Sequence, residues 1–85
     1  MNELRLIEVA NPMRGYRSSS LHSKERAEDA FYIFCANCKH EYDVVTMYAV
    51  KETQQGFVVD EILQEYIHAT KTKITYNNGT KVEIE

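Results

Sequence analysis

The chain of 85 residues has no tryptophan, only one proline and three glycines, and just two cysteines. Two cysteines so close in sequence cannot cross-link a small secreted fold, so we expect a reducing compartment. The sequence also lacks an apolar run near the ~20 residues that a membrane span requires. Its first residues, Met-Asn-Glu-Leu-Arg-Leu, contain no apolar signal region. We therefore expect a cytoplasmic protein that has no membrane segment.

A surplus of basic residues is also lacking, since the net charge is −3. Contacts with phosphate backbones depend on Lys and Arg, so we expect another protein, rather than nucleic acid, as the partner. The charge is unevenly distributed, however, because Glu25 is the only acid between Arg14 and Arg26. A basic segment on an acidic body can steer a chain towards a partner of mixed charge, or it can simply be solvated.

The length leaves room for a single domain over residues 1–85. Its composition, with 44% hydrophobic and 27% charged residues, is typical of a folded globular protein. A domain this short buries roughly 60% of the surface of its unfolded chain, which supports only a small core. A second subunit or a bound metal would therefore add useful stability.

The N-terminal part predicts a strand followed by a long loop. Residues 3–9 carry apolar side chains on both faces of an extended segment, which is typical of a strand that is partly covered on both sides. Residues 10–23 predict a loop, because Asn-Pro starts a turn, Gly15 can adopt a positive φ angle, and three serines follow.

The central part predicts helices. Ser23 is a candidate N-cap, and apolar side chains then recur at helical spacing, at Ala27, Ala30, Phe31, Phe34, Cys35 and Cys38. This pattern fits a single helix over 24–52, or a helix broken near residues 37–40 and followed by a strand over 43–50. A second amphipathic helix is predicted over 58–70, where apolar residues show the same spacing.

The C-terminal part predicts a hairpin of strands 72–76 and 80–84. A three-residue loop with a left-handed Gly79 pairs Ile74 with Val82 and places the apolar side chains on one face. The elements together predict an α+β fold. In it, a three-stranded antiparallel sheet, made of the N-terminal strand and the C-terminal hairpin, packs against two helices, the first long or broken near residues 37–40.

Segment 34–42, with the sequence FCANCKHEY, has a spacing at which two thiolates can reach one Zn²⁺. It resembles one half of a zinc ribbon, which implies zinc held by Cys35, Cys38 and His40, with the site completed by another histidine or by a symmetric dimer. The second Cys-x-x-Cys of that family is absent, and Lys39 stands where such knuckles often carry glycine. We prefer the interpretation without a cofactor, in which both thiols are small hydrophobic groups on a buried helix face.

Segment 13–17, with the sequence MRGYR, places a tyrosine between two arginines next to a glycine. Arg and Tyr are enriched at binding hot spots, so Arg14, Tyr16 and Arg17 are candidate partner-binding residues. The same residues could stack a base and hold phosphates, or the tyrosine could fold back onto the sheet. Tyr32 is a fourth candidate, because it lies off the main apolar face of the first helix and could mark an interface.

We find no Gly-x-Ser-x-Gly motif and no glycine-rich phosphate loop in the sequence. We therefore predict that the chain is not an enzyme. Our function hypothesis is a small cytosolic regulator or inhibitor, of phage or mobile-element type, that acts by protein–protein contact as a homodimer. The alternative is a degenerate zinc-ribbon-like module that contacts nucleic acid or a nucleic-acid enzyme.

Overall fold

The computed structural model describes residues 3–77 and 80–85, and no helix in these residues is long and apolar enough to cross a membrane. The described residues form strands and one α-helix. In chain order the elements are β1 (Leu4–Asn11), β2 (Tyr16–Ser23), α1 (Lys24–Ala36), β3 (Val44–Thr53), β4 (Gly56–Ile67), β5 (Thr72–Asn77) and β6 (Thr80–Ile84).

The six strands form one antiparallel sheet in the order β2-β1-β3-β4-β5-β6. The predicted α+β fold, in which a three-stranded sheet packs against two helices, is therefore wrong, because the described residues are mostly strand. The N-terminal strand does not lie beside the C-terminal hairpin, because β3 and β4 stand between them. Most neighbouring strands are also consecutive in sequence. The exception is the pair β1 and β3, since the chain passes from β2 through α1, which crosses one face of the sheet, before it forms β3.

That face, which we call the helix face, holds the core. Ala27 and Phe31 of α1 are buried against Ile7 of β1 and against Val45 and Met47 of β3. The predicted apolar stripe is confirmed, because its other members pack partly buried around this cluster: Ala30, Phe34, Cys35 and Cys38. Burial of a side chain such as Phe31 contributes about 2–3 kcal/mol, so this cluster holds the helix on the sheet.

The helix is the shorter of the two alternatives. It ends at Ala36, where the N–H group of Asn37 still donates to the carbonyl oxygens of Ile33 and Phe34, at 3.0 and 3.2 Å. The single helix over 24–52 is wrong. A break near residues 37–40 followed by a strand is confirmed, because the β-branched run that begins at Val44 forms β3.

The second predicted helix, over 58–70, is wrong because these residues belong mainly to β4. Asp60 and Leu63 have no direct partner in β3, where the register shifts twice. Each extra residue is a β-bulge that interrupts the two-residue alternation of a strand. Apolar residues then recur after three or four positions, and this spacing imitates a helix. The bulge at Leu63 also turns its side chain towards the core on the helix face.

The predicted loop over 10–23 is only partly a loop. The turn lies between β1 and β2, and Gly15 has the expected positive φ of 72°. The serine-rich segment beyond it is strand β2, which pairs with β1 without a shift from Asn11↔Tyr16 to Leu4↔Ser23. Serine is favoured in turns and caps, where its hydroxyl binds nearby backbone groups, and the long-range pairing with β1 overrides that preference.

The C-terminal hairpin is present, but the predicted register is wrong. Ile74 lies opposite Ile84 rather than Val82, and the register shifts between Thr75 and Tyr76. A bulge, not a longer loop, thus brings the two isoleucines together. The predicted left-handed conformation of Gly79 lies outside the described residues.

The face of the sheet opposite α1, which we call the open face, carries an apolar row beside a polar one. The register aligns one row of side chains across four strands, namely Leu21, Leu6, Tyr48 and Ile62. Ile74 is buried on this face, outside the core cluster of the helix face. A solvated face of an antiparallel sheet is usually polar. The described part of the chain therefore has more apolar sheet surface than its single helix covers.

Candidate functional site

A buried carboxylate joins the two loops at one end of the sheet. Asp43, 3% exposed, ends the 37–43 connection between α1 and β3. Its Oδ2 accepts hydrogen bonds from the backbone N–H groups of Lys39 and His40, both at 3.1 Å. Its Oδ1 accepts from Asn11 Nδ2 at 2.8 Å and from the hydroxyl of Tyr16. One side chain therefore ties the 37–43 connection to the turn between β1 and β2.

Asn11 extends this network into the turn. Its side chain is buried, and its Oδ1 accepts hydrogen bonds from the backbone N–H groups of Met13 and Arg14, at 3.0 and 2.9 Å. The Asn11 carbonyl oxygen also accepts from the Gly15 N–H group at 2.8 Å. This is the turn that the Asn-Pro pair predicts, with the asparagine side chain fastening its own backbone. Asn11 and Asp43 together hold both loops in one arrangement.

The electrostatics of the network favour the ionised form of Asp43. Burial by itself raises the pKa of this carboxyl. The hydrogen bonds from Tyr16, Asn11 and the two backbone N–H groups outweigh burial and hold the pKa of Asp43 well below its usual range. The same hydrogen bond to Asp43 raises the pKa of the Tyr16 hydroxyl. At neutral pH the network therefore consists of donors around a charged acceptor.

The loops held by Asp43 present a surface of apolar and charged side chains. We call it the loop-end surface and define it by six residues: Met13, Arg14, Tyr16, Lys39, His40 and Tyr42. Met13 is 72% exposed and Tyr42 48% exposed, and both line a shallow cavity of about 290 Å³ with Arg14, Lys39 and the acid Glu41. The Tyr16 and His40 rings meet edge to face, with centroids 6.4 Å apart. Exposed Met, Tyr and Arg side chains in fixed loops are typical of protein-binding surfaces.

The structure separates the predicted partner-binding residues. Arg14 and Tyr16 belong to the loop-end surface. Arg17 shares the open face with Glu8, and its Nε lies 3.5 Å from the Glu8 Oε2. Tyr32 lies on α1, 75% exposed, and lines a different groove of about 470 Å³ between α1 and β4. The predicted set is therefore not one site.

The cysteines also occupy a different setting from the one that the zinc-ribbon resemblance implies. Cys35 lies in the last turn of α1, and Cys38 lies just after it rather than in a knuckle between two strands. Burial raises the pKa of Cys35 to about 12 and also raises the pKa of Cys38. Neither thiol is therefore poised as a thiolate.

The metal ligands that this resemblance implies are also not assembled. Within residues 3–77 and 80–85, no group of three or more His, Cys, Asp or Glu side chains comes together to hold a metal ion. The imidazole of His40 lies against Tyr16, and its backbone N–H group bonds to Asp43. The described residues of a single copy therefore do not form the zinc knuckle that the resemblance implies. Both thiols instead pack at the margin of the core.

Comparison with protein-family models, with curated proteins and with solved structures found no match to this chain.

Asp43 and Asn11 organise the loop-end surface; sequence reasoning missed Asp43, and it used Asn11 only as the start of a turn and not as part of a network. Two local signals could have found them. An asparagine directly before Pro12 is a strong turn residue whose side chain binds its own backbone. A single carboxylate directly before a β-branched run, as in Tyr42-Asp43-Val44, lies at a strand end, where neighbouring backbone N–H groups need acceptors.

Proposed function

We propose that this protein is a small binding protein that docks another protein through its loop-end surface. The observation that carries the proposal is the buried Asp43 carboxylate, which binds the turn and the 37–43 connection at once. Exposed loops normally lose conformational entropy when they bind. Loops that are already fixed lose less, so a larger share of the contact energy appears as affinity.

The chemistry of the surface indicates the chemistry of the partner. Met13 and Tyr42 offer flexible and rigid apolar area, respectively. Arg14 and Lys39 lie beside them, and neither forms an ion pair with another described residue, although the acid Glu41 lines the same cavity, so that basic groups outnumber acidic ones there by one. A partner patch with an apolar centre and carboxylates at its rim would complement this arrangement.

A protein partner suits this surface better than nucleic acid does. The net charge of the chain is −3, and the guanidinium of Arg17 already forms an ion pair with Glu8. Both features weaken attraction to phosphates. We further propose that the protein acts in the cytoplasm as a regulator or inhibitor, without catalysis, because a chain of this size can block a partner simply by occupying its surface.

Affinity capture with matched variants tests the proposal. Tagged wild type, Arg14→Ala/Tyr42→Ala and Tyr32→Ala proteins are incubated with extract of the source cells, and retained proteins are quantified by mass spectrometry. Tyr32→Ala is the control, since it removes an exposed ring outside the loop-end surface. We expect at least one protein to be retained in equal amounts by wild type and by the control. The double variant should retain about tenfold less of it, or less still.

Two results would contradict the proposal. The double variant could retain the same proteins as wild type, which would show that the loop-end surface is not the contact. Alternatively, nuclease treatment of the extract could remove every protein that the wild type retains. Nucleic acid would then be the direct partner, and binding should fall steeply with salt.

A further inference from the structure

The two edge strands of the sheet differ in how they are protected from pairing with another strand. β6 has only five residues, a register shift against β5, and the charged residues Lys81 and Glu83. Short length, bulges and charges are the devices that natural proteins use to keep an edge unpaired. β2 has eight residues in unbroken register with β1. It contains no Lys, Asp, Glu or Pro, and Arg17 is its one formally charged residue.

The outer side of β2 offers free hydrogen-bonding groups. In an antiparallel strand, alternate residues direct their N–H and C=O groups to opposite sides, so half of those in β2 point away from β1. Among the described residues, β1 is the only strand that pairs with β2. α1 packs its buried residues on β1 and β3, and it touches β2 where the Phe34 ring meets the His22 ring edge to face. Five of the eight residues of β2 are nevertheless exposed, so the outer side of this strand is accessible.

We propose that β2 pairs antiparallel with β2 of a second copy of this chain, so that two six-stranded sheets become one continuous sheet. The twofold axis stands perpendicular to the sheet and passes between the two Ser20 residues, which face each other. In this register Leu21 lies opposite Ser19 of the second copy, and Arg17 lies opposite Ser23. The strand is therefore complementary to itself, because no like charges face each other across the junction.

The same register also buries apolar surface. Leu21 is 48% exposed on the open face, where it lies beside Leu6. Across the junction the two Leu21 side chains are diagonal neighbours, about 7–8 Å apart at Cβ, which is within reach of leucine. Pairing would thus satisfy the free backbone groups and cover the exposed leucine in one step. A strand of another protein could bond to the outward backbone groups of β2, but a second copy of this chain would also supply the leucine that covers Leu21.

This inference is independent of the proposed function, although it has a consequence for it. Tyr16, at the start of β2, marks the position of the loop-end surface along the strand. In the proposed register, the two Tyr16 residues are offset by eight residues along the strands, or roughly 26 Å. The dimer would present two loop-end surfaces at opposite ends of the strand pair, and could bind a repeating partner with avidity.

Sedimentation velocity over a range of concentrations tests the proposal on three proteins. We expect wild type to be a dimer. Ser19→Lys should raise the dissociation constant about tenfold or more, because it brings charge to the junction. Ser19 is exposed, so the new lysine displaces no packed side chain and the fold is retained. Val82→Lys is the control on the other edge strand, where the side chain is 58% exposed.

Concentration-dependent hydrogen exchange gives a second readout. In the dimer, the outward N–H groups of β2 should exchange more slowly as concentration rises, while those of β6 should not change. A wild type that stays monomeric at millimolar concentration overturns the proposal. So does a dimer that Ser19→Lys leaves intact, or one that Val82→Lys dissociates.

Discussion

Replacing Asp43 by asparagine removes the charge at the centre of the loop network while keeping the shape of the side chain. All four groups that surround the carboxylate are donors: the side chains of Asn11 and Tyr16 and the backbone N–H groups of Lys39 and His40. An amide has one oxygen and one NH₂ group. In either orientation of the amide, the two donors that bonded to one carboxylate oxygen therefore face the NH₂ group instead of an acceptor.

The cost can be estimated from these contacts. A hydrogen bond to a charged acceptor contributes about 1.5–3 kcal/mol, and a buried donor without an acceptor is costly in addition. Asn11 cannot simply turn its amide, because its own Oδ1 holds the N–H groups of Met13 and Arg14. The Tyr16 hydroxyl can rotate and accept, which recovers part of the loss. We therefore expect Asp43→Asn to lower the free energy of unfolding by about 2–4 kcal/mol.

Urea denaturation, followed by circular dichroism, measures this difference. With a slope near ~1 kcal/mol per molar urea for a small domain, the midpoint should fall by roughly 2 M or more. Glu41→Gln is the matched control, since this exposed carboxylate lies two residues away in the same connection. If Asp43→Asn and Glu41→Gln unfold at the same urea concentration, the carboxylate does not hold the loops and the reasoning fails.

Three further predictions follow from the same structure. The folded protein holds the pKa of Asp43 below its value in the unfolded chain, so the stabilisation that the ionised carboxylate gives is complete above about pH 5 and declines as pH falls through about 4. Urea midpoints should therefore fall more steeply on acidification in wild type than in Asp43→Asn. Equal slopes in the two proteins would refute this linkage. Phe31→Ala should cost about 3–4 kcal/mol in urea denaturation, whereas Phe57→Ala, at an exposed position, should stay within ~0.5 kcal/mol. Burial raises the pKa of Cys35 to about 12 and also raises the pKa of Cys38. Both thiols should therefore react with iodoacetamide about tenfold faster in urea than in buffer, as measured by mass spectrometry, and equal rates would show that the thiols are exposed in the folded protein.

The sequence predicted those elements whose patterns depend on near neighbours. The stripe from Ala27 to Cys38 has helical spacing; it lies in α1 up to Cys35, and all of it packs on the core. The strand at the N-terminus, the turn at Gly15 and the existence of the C-terminal hairpin are confirmed for the same reason. Local periodicity and turn chemistry are sufficient for these elements because no distant segment overrides them.

The failures have a common physical origin in pairing between distant segments. Two bulges against β3 give β4 an apolar spacing that resembles a helix, and only the partner strand reveals them. β2 is rich in serine, and it is a strand because β1 supplies its hydrogen bonds. Of the loop-end surface, the sequence pointed to Arg14, Tyr16 and His40. It did not show that His40 lies beside the other two, because the carboxylate of Asp43, which joins the two loops, is more than twenty residues from the turn.

The sequence by itself determined the small size, the acidic balance, the apolar stripe of α1 and the positions of the turns, since each is a property of composition or of residues a few positions apart. The tertiary structure alone decided that six strands share one sheet, that two bulges shape β4, and that a buried carboxylate joins two loops. These features depend on which strands find each other. A strand satisfies only half of its backbone groups with each neighbour, so its partners, and not its own residues, complete its structure.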